Sequence, residues 1–293
     1  MRLLLTGRQG QLGRELERTL RELGSVVATE RTTLDLADLA AVGRAVRDAA
    51  PEVIVNAAAH TAVDRAEAEE ALATRINAEA PAVLAEEAKR IGALLVHYST
   101  DYVFDGGGRT PYTEDDACNP QSAYGRSKLA GERAVLASGC RCLVFRTSWV
   151  YSPEGRNFFL TIAGKVRAGQ ALRIVDDQVG VPTSAAFLAR STAMAIRGTR
   201  GGPPPHSLYH LVPAGAVSWH GFACEIAARL APGAQISPIS SSEYPQAAMR
   251  PKYSVMDSAL ARAELGIAVP HWTTLLDECV ATYSKAQGYA PSR

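Results

Sequence analysis

Short apolar runs at residues 3–5, 26–29, 53–56, 94–99 and 143–147 alternate with stretches of helical period near 11–23, 36–49, 66–92 and 123–137. Runs that are apolar at successive positions belong to strands buried on both faces. Parallel neighbours need a helical crossover to join them. The rhythm therefore predicts an α/β fold with a doubly wound parallel sheet. Beyond Tyr151 it loosens: Pro153, Gly155, Pro182 and the run Gly201-Gly202-Pro203-Pro204-Pro205 interrupt it, while 207–212 can return as a further strand. Residues 1–150 plus roughly 183–212 are expected to form the sheet domain. Residues 151–182 plus roughly 213–293 are expected to form a smaller C-terminal lobe.

Lys and Arg total 31 against 30 for Asp and Glu, a net charge of +1. No basic excess attracts nucleic acid and no polybasic run suits a membrane surface, so neither partner is expected. The apolar run ended by Thr6 and Gly7 is too short for a secretion signal, and no stretch approaches the roughly 20 apolar residues of a membrane span. The five cysteines, at 118, 140, 142, 224 and 279, contain no CxxC pair. Reduced thiols in a cytoplasmic protein follow as the expectation. Cys140 and Cys142 could share a strand face, but no further ligand is spaced to complete a metal site.

The first apolar run leads into Gly7-Arg8-Gln9-Gly10-Gln11-Leu12-Gly13 and then a helix. Gly7, Gly10 and Gly13 would let backbone N–H groups approach a pyrophosphate without side chains in the way, as in Rossmann dinucleotide sites. The spacing is GxxGxxG, which departs from GxGxxG. Glu30 follows the second strand, where a carboxylate accepts hydrogen bonds from an adenine ribose; the alternative is a solvated loop carboxylate. Arg31 beside it could pair with the 2′-phosphate of NADPH, so NADPH or NADH is the expected cofactor.

Tyr124 and Lys128 form a YxxxK pair, whose i,i+4 spacing puts both on one helical face. A nearby ammonium favours the phenolate and brings a tyrosine closer to working pH as a general acid–base, although YxxxK also arises by chance on exposed helices. Thr100 lies at the carboxyl end of the fourth run, where open α/β sheets bind ligands. Its hydroxyl could meet a substrate carbonyl.

With these three motifs in order, the sequence resembles the extended short-chain dehydrogenases/reductases, and among them the dTDP-4-dehydrorhamnose reductase family. The resemblance rests on LLTGRQGQLGREL (4–16), VNAAAHTAVDRAE (55–67), HYSTDYVFDG (97–106), SAYGRSKLAGE (122–132), RTSWVY (146–151) and MRPKYSVMD (249–257). It implies a Rossmann domain with a substrate-binding lobe and NAD(P)H-dependent reduction of a nucleotide-linked 4-keto deoxysugar, dTDP-4-dehydro-L-rhamnose to dTDP-L-rhamnose. Tyr124 would be the proton donor, Lys128 its partner and ribose ligand, and Thr100 the residue orienting the carbonyl. Gly10, Gln11 and Leu12 would hold pyrophosphate. Glu30, Asp35 and Leu36 would flank adenosine, and Ala59, His60, Thr61 and Tyr98 would line the dinucleotide path. Asp101, Trp149, Asn157 and Arg250 resemble substrate contacts. His60 invites a metal or acid–base reading, but no spaced partner accompanies it, so a packed or cofactor-lining histidine is expected; Trp149 could be plain core.

Some relatives are thought to dimerise through Mg²⁺ bridged by glutamates. Glu15 is present, but Ser184-Ala185-Ala186-Phe187-Leu188 offers no acidic partner, so no bridging metal and a monomer or weak homodimer are expected. Two other functions stay open at this point. A sugar-nucleotide epimerase or dehydratase would return its cofactor unchanged, and a dinucleotide-binding regulatory subunit would need no turnover.

Overall fold

The computed structural model describes residues 1–199, 202 and 204–288; Gly201 and Pro203 of the glycine- and proline-rich run lie outside the described residues. The first half runs β1 (Arg2–Thr6), α1 (Gln11–Leu20), β2 (Ser25–Ala28), α2 (Leu39–Ala49), β3 (Val53–Asn56), α3 (Val63–Ala68), α4 (Glu70–Thr74), a π-helical turn (Arg75–Glu79), α5 (Ala80–Ile91), β4 (Leu94–Thr100) and α6 (Ala123–Ala137). The second continues β5 (Arg141–Thr147), β6 (Val150–Tyr151), α7 (Phe158–Arg167), β7 (Leu172–Val175), β8 (Val179–Gly180), β9 (Thr183–Ser184) and α8 (Ala185–Gly198). It ends with β10 (Leu208–His210), β11 (Val217–Ser218), α9 (Trp219–Leu230), β12 (Ile236–Ile239), α10 (Ala259–Leu265) and α11 (Trp272–Ala286).

Among the described residues the main sheet has the order β10-β5-β4-β3-β1-β2, with every ladder parallel. Its apolar runs divide by strand alternation. Leu4, Ile54, Leu95 and Val144 pack with Val42 and Val46 of α2 and Leu84 and Ala88 of α5. Leu3, Leu5, Val55, Val96 and Phe145 pack on the other face with Leu16 and Leu20 of α1 and Leu188 and Ile196 of α8. Each such leucine or valine contributes about 1.5–3 kcal/mol by leaving water. This is the doubly wound arrangement that the alternation predicts, and 207–212 does supply a strand, β10, at the edge beside β5. A further apolar cluster joins Phe159, Ile162 and Val166 of α7, Phe222 and Ile226 of α9, and Leu276 and Tyr283 of α11. Three small two-stranded ladders, β7–β12, β8–β11 and β6–β9, accompany it.

One element differs from the reading above. The stretch 66–92 is four consecutive pieces, not one helix: Glu69 leaves the helical region at φ −120°, ψ 37° between α3 and α4, and Pro81 accounts for the π-helical turn before α5. Proline has no N–H to donate to the carbonyl four residues back, that of Asn77, so the regular ladder cannot pass through this point. The Asn77 carbonyl lies against α6, where a Cβ on Gly131 would come within 1.9 Å of it. Near the helix start, a Cβ on Gly125 would come within 2.3 Å of the Tyr102 carbonyl. Among the described residues, no helix is long and apolar enough to cross a membrane.

Candidate active site

β1 ends at Thr6 and the chain turns at once into α1. Gly7 has φ +76°, and a Cβ there would lie 2.8 Å from the Ala58 amide nitrogen; one on Gly13 would lie 2.0 Å from the Gly7 carbonyl oxygen. Only glycine fits this tight crossing of loop, helix and β3. Gly10 caps α1 without a side-chain hydrogen bond. The first amides of the helix, those of Gln11, Leu12 and Gly13, thus have neither an intrahelical partner nor a capping side chain, which suits a phosphate.

At the rim, the Glu30 carboxylate is held by the Gln9 amide and by the Thr32 hydroxyl at 2.9 Å. Arg31 is 80% exposed and 4.0 Å from Asp35, so its guanidinium can swing. Asp35 accepts the Ala37 N–H, while Leu36 is buried in the core. After β3, Ala59 is half-buried and Thr61 exposed. The His60 N–H donates to Asn77 Oδ1 at 2.8 Å, and Asn77 Nδ2 donates to the His60 carbonyl and to Ser127 Oγ on α6, each at 3.0 Å. Asn77, which carries no sequence motif, therefore ties the 59–61 loop to the helix bearing Tyr124. The His60 ring lies 3.3 Å from Glu69.

Ser122 caps α6 by accepting the Gly125 N–H, and the helix presents Tyr124 and Lys128 to the end of β4. Thr100 Oγ1 donates to Asp101 Oδ1 at 3.0 Å and accepts the Tyr102 N–H at 3.2 Å. The Tyr124 hydroxyl lies near Thr100, and its ring meets Tyr102 edge-on, centroids 5.4 Å apart. Burial pushes this phenol up to about 12, opposed by Thr100 and aided by the Asp101 carboxylate. This is the opposite direction to the one expected from a neighbouring ammonium: desolvation dominates, and the buried Lys128 Nζ donates to the Tyr98 carbonyl at 2.5 Å. Burial brings Lys128 down to about 8, with Glu132 opposing. Asp101, also buried, is raised to about 6 by desolvation, with the nearby Ser254 hydroxyl and the hydrogen bond from Thr100 opposing. Tyr98 offers the site its carbonyl only; its ring lies in the core and its hydroxyl meets Thr192 at 2.7 Å.

The substrate candidates are spread more widely. Arg250 forms a two-pronged ion pair with Asp64 of α3, at 3.0 and 2.7 Å, near Tyr102. Asn157 caps α7: its Oδ1 accepts the Leu160 N–H and its Nδ2 donates to the Ser152 and Glu154 carbonyls. Its polar atoms are thus engaged in turning the chain. Trp149 follows β5 with φ +45°, a left-handed backbone that costs a non-glycine residue about 1 kcal/mol. It stacks on Trp219. Sequence reading missed Trp219, Tyr102, Ser254, Asp64 and Asn77; Asp64, Tyr102 and Ser254 sat inside quoted segments, and Trp219 and Asn77 did not.

The family model for the RmlD substrate binding domain matches residues 1–285. The chain belongs to this family. A dTDP-4-dehydrorhamnose reductase of Burkholderia thailandensis is 45% identical over 292 residues, covering 96% of this chain and 98% of the relative. Among solved structures, the Clostridium acetobutylicum dTDP-4-dehydrorhamnose reductase superposes with TM-score 0.91 at 38% identity, covering 96% of this chain and 99% of that one. The Bacillus anthracis enzyme, solved in complex with NADP, gives TM-score 0.88 at 33% identity with the same coverage. As a member of the RmlD family, the chain shares the Rossmann-like fold of these neighbours over nearly its whole length.

Proposed function

We propose that this protein uses NAD(P)H to reduce the 4-keto group of a nucleotide-linked deoxysugar, dTDP-4-dehydro-L-rhamnose, to dTDP-L-rhamnose. One observation carries the reading: Thr100 ends β4 and α6 packs Lys128 against that strand, at the carboxyl edge of the same parallel sheet from which the glycine crossing leaves β1, in a chain 45% identical to a dTDP-4-dehydrorhamnose reductase. The five cysteines are unpaired, which suits a cytoplasmic setting. Consumption of NADPH against a panel of nucleotide-linked 4-keto sugars tests it. Turnover with the dTDP sugar is expected; reduced cofactor left intact with every sugar would refute it.

The uncapped start of α1 would hold the pyrophosphate, Glu30 and Arg31 the adenosine end, and Lys128 the nicotinamide ribose. When bound, the reduced nicotinamide supplies the hydride taken up by the sugar's carbonyl carbon. Tyr124 gives its hydroxyl proton to the carbonyl oxygen, and Thr100, held ready by Asp101, turns its one hydroxyl proton from that carboxylate to the same oxygen. Arg250 exchanges Asp64 for the sugar's diphosphate, and Trp149 stacks on a flat ring of the substrate.

Two predictions follow from the charges. Asp101 must be ionised to hold the Thr100 hydroxyl, and Lys128 must keep its proton beside the tyrosine. Reductive kcat/KM of the free enzyme should therefore fall as pH drops through about 6, where Asp101 gains a proton. It should fall again as pH rises through about 8, where Lys128 loses one. Asp101→Asn should lower the plateau and erase the acid limb; an acid limb that persists in this variant assigns it to another group. Cofactor choice is the second. The pinned Glu30 favours a free 2′-hydroxyl and the swinging Arg31 a 2′-phosphate, each worth about 1 kcal/mol, or about fivefold, at this exposed rim. Both cofactors should work. Glu30→Ala should shift the NADPH-to-NADH ratio of kcat/KM upward and Arg31→Ala downward, and a ratio that neither variant moves contradicts the placement.

A further inference from the structure

Trp149 is held on two sides by residues from separate elements. Its indole lies flat on that of Trp219, with centroids 3.5 Å apart and planes 6° from parallel. Phe158 leans on Trp219 in turn, centroids 4.6 Å apart. At the indole edge, Gly180 leaves no room for a side chain, since a Cβ there would fall 2.6 Å from Trp149 Cε2. The β8–β11 ladder pairs Gly180 with Val217, and Trp219 begins α9 directly after that ladder. The edge stop and the stacking partner are thus fixed relative to one another. An indole has two faces and Trp219 covers one, so a ligand can reach only the other. The left-handed backbone at Trp149 is the kind of local strain that persists where a side chain must be aimed.

We propose that Trp219 is a positioning residue for the sugar nucleotide: with Gly180 it clamps Trp149 as a one-faced platform for a flat ring of the substrate. This rests on the reductase reading and adds a residue to it. An aromatic platform contributes to binding equally before and during the reaction, so its loss appears in KM and spares kcat.

The test is steady-state kinetics of the full chain with the dTDP-linked 4-keto sugar. Trp219→Ala is expected to raise the sugar KM about tenfold, the scale of one lost stacking contact, with kcat and the NADPH KM within about twofold of wild type. Trp219→Phe keeps a stacking ring and should restore most of the sugar affinity. Gly180→Ala should raise the sugar KM from the opposite side by displacing the indole edge, and it carries the test if Trp219→Ala does not fold. Inhibition by dTDP alone should weaken along with KM, because the base is the flat ring of this substrate, and dTDP inhibition that holds in Trp219→Ala while the sugar KM rises overturns the stacking role. Wild-type turnover with an unmoved sugar KM in Trp219→Ala or Gly180→Ala overturns the clamp alone. An equal loss in sugar KM, cofactor KM and kcat also overturns it, by marking general damage. A wild type inactive on every 4-keto sugar overturns the reductase reading and the clamp with it.

Discussion

Tyr124→Phe should lower kcat by about 10²–10⁴-fold, the usual weight of a general acid, while NADPH affinity stays within about twofold. Only the hydroxyl is removed. The ring still meets Tyr102 edge-on, and the glycine crossing that would receive the pyrophosphate is untouched. The phenol, held up at about 12, keeps its proton at neutral pH, as the proposed donor in the reductive direction must. Single-turnover oxidation of NADPH and a separate cofactor titration measure the two quantities. A variant that keeps more than about a third of wild-type turnover would show that the proton comes from elsewhere.

Glu132→Ala should cost about 3–5 kcal/mol of stability, because it leaves the Arg146 guanidinium buried without its counter-charge. The two side chains are 2% and 4% exposed, and they join by paired hydrogen bonds of 3.0 and 2.6 Å. Arg146 also meets Cys118 at 3.2 Å and lies over the Phe104 ring. At a few degrees per kcal/mol, thermal unfolding followed by circular dichroism should move down by roughly 10 °C. Replacing both partners, Glu132→Leu with Arg146→Met, should recover much of the loss, since a buried pair offers little over well-packed apolar groups. A single variant within about 1 kcal/mol of wild type would mean that water reaches the arginine.

What could be read in the sequence was whatever nearby residues determine. The alternating apolar runs gave the sheet and its two helical layers, and the glycine spacing placed the tight crossing after β1. YxxxK placed Tyr124 and Lys128 on one face because i,i+4 geometry is local. The Lys128 hydrogen bond was not legible, since its acceptor is the backbone carbonyl of Tyr98, which no residue type announces. Trp219 was hidden for a similar reason: a stacking partner distant along the chain leaves no periodic trace. Asn157 and Arg250 were singled out, but only the structure gives their present partners, a helix start for one and Asp64 for the other. The broken helix around Arg75–Glu79 could have been read, because Pro81 withholds the N–H that a continuous helix needs at that point.

The backbone contacts of α6 bear on any attempt to transplant this chemistry. Gly125 sits against the Tyr102 carbonyl and Gly131 against that of Asn77, each nearer than any side chain allows. Tyr124, the proposed proton donor, and Lys128 are thus carried on a notched rod that seats in one position. A designer who copied Tyr124 and Lys128 onto an ordinary alanine-rich helix would reproduce the motif and lose its depth. The rod would ride outward, carrying the phenol away from Thr100 and the ammonium away from the Tyr98 carbonyl. The transferable unit is the pair together with its two notches and the carbonyls that fill them.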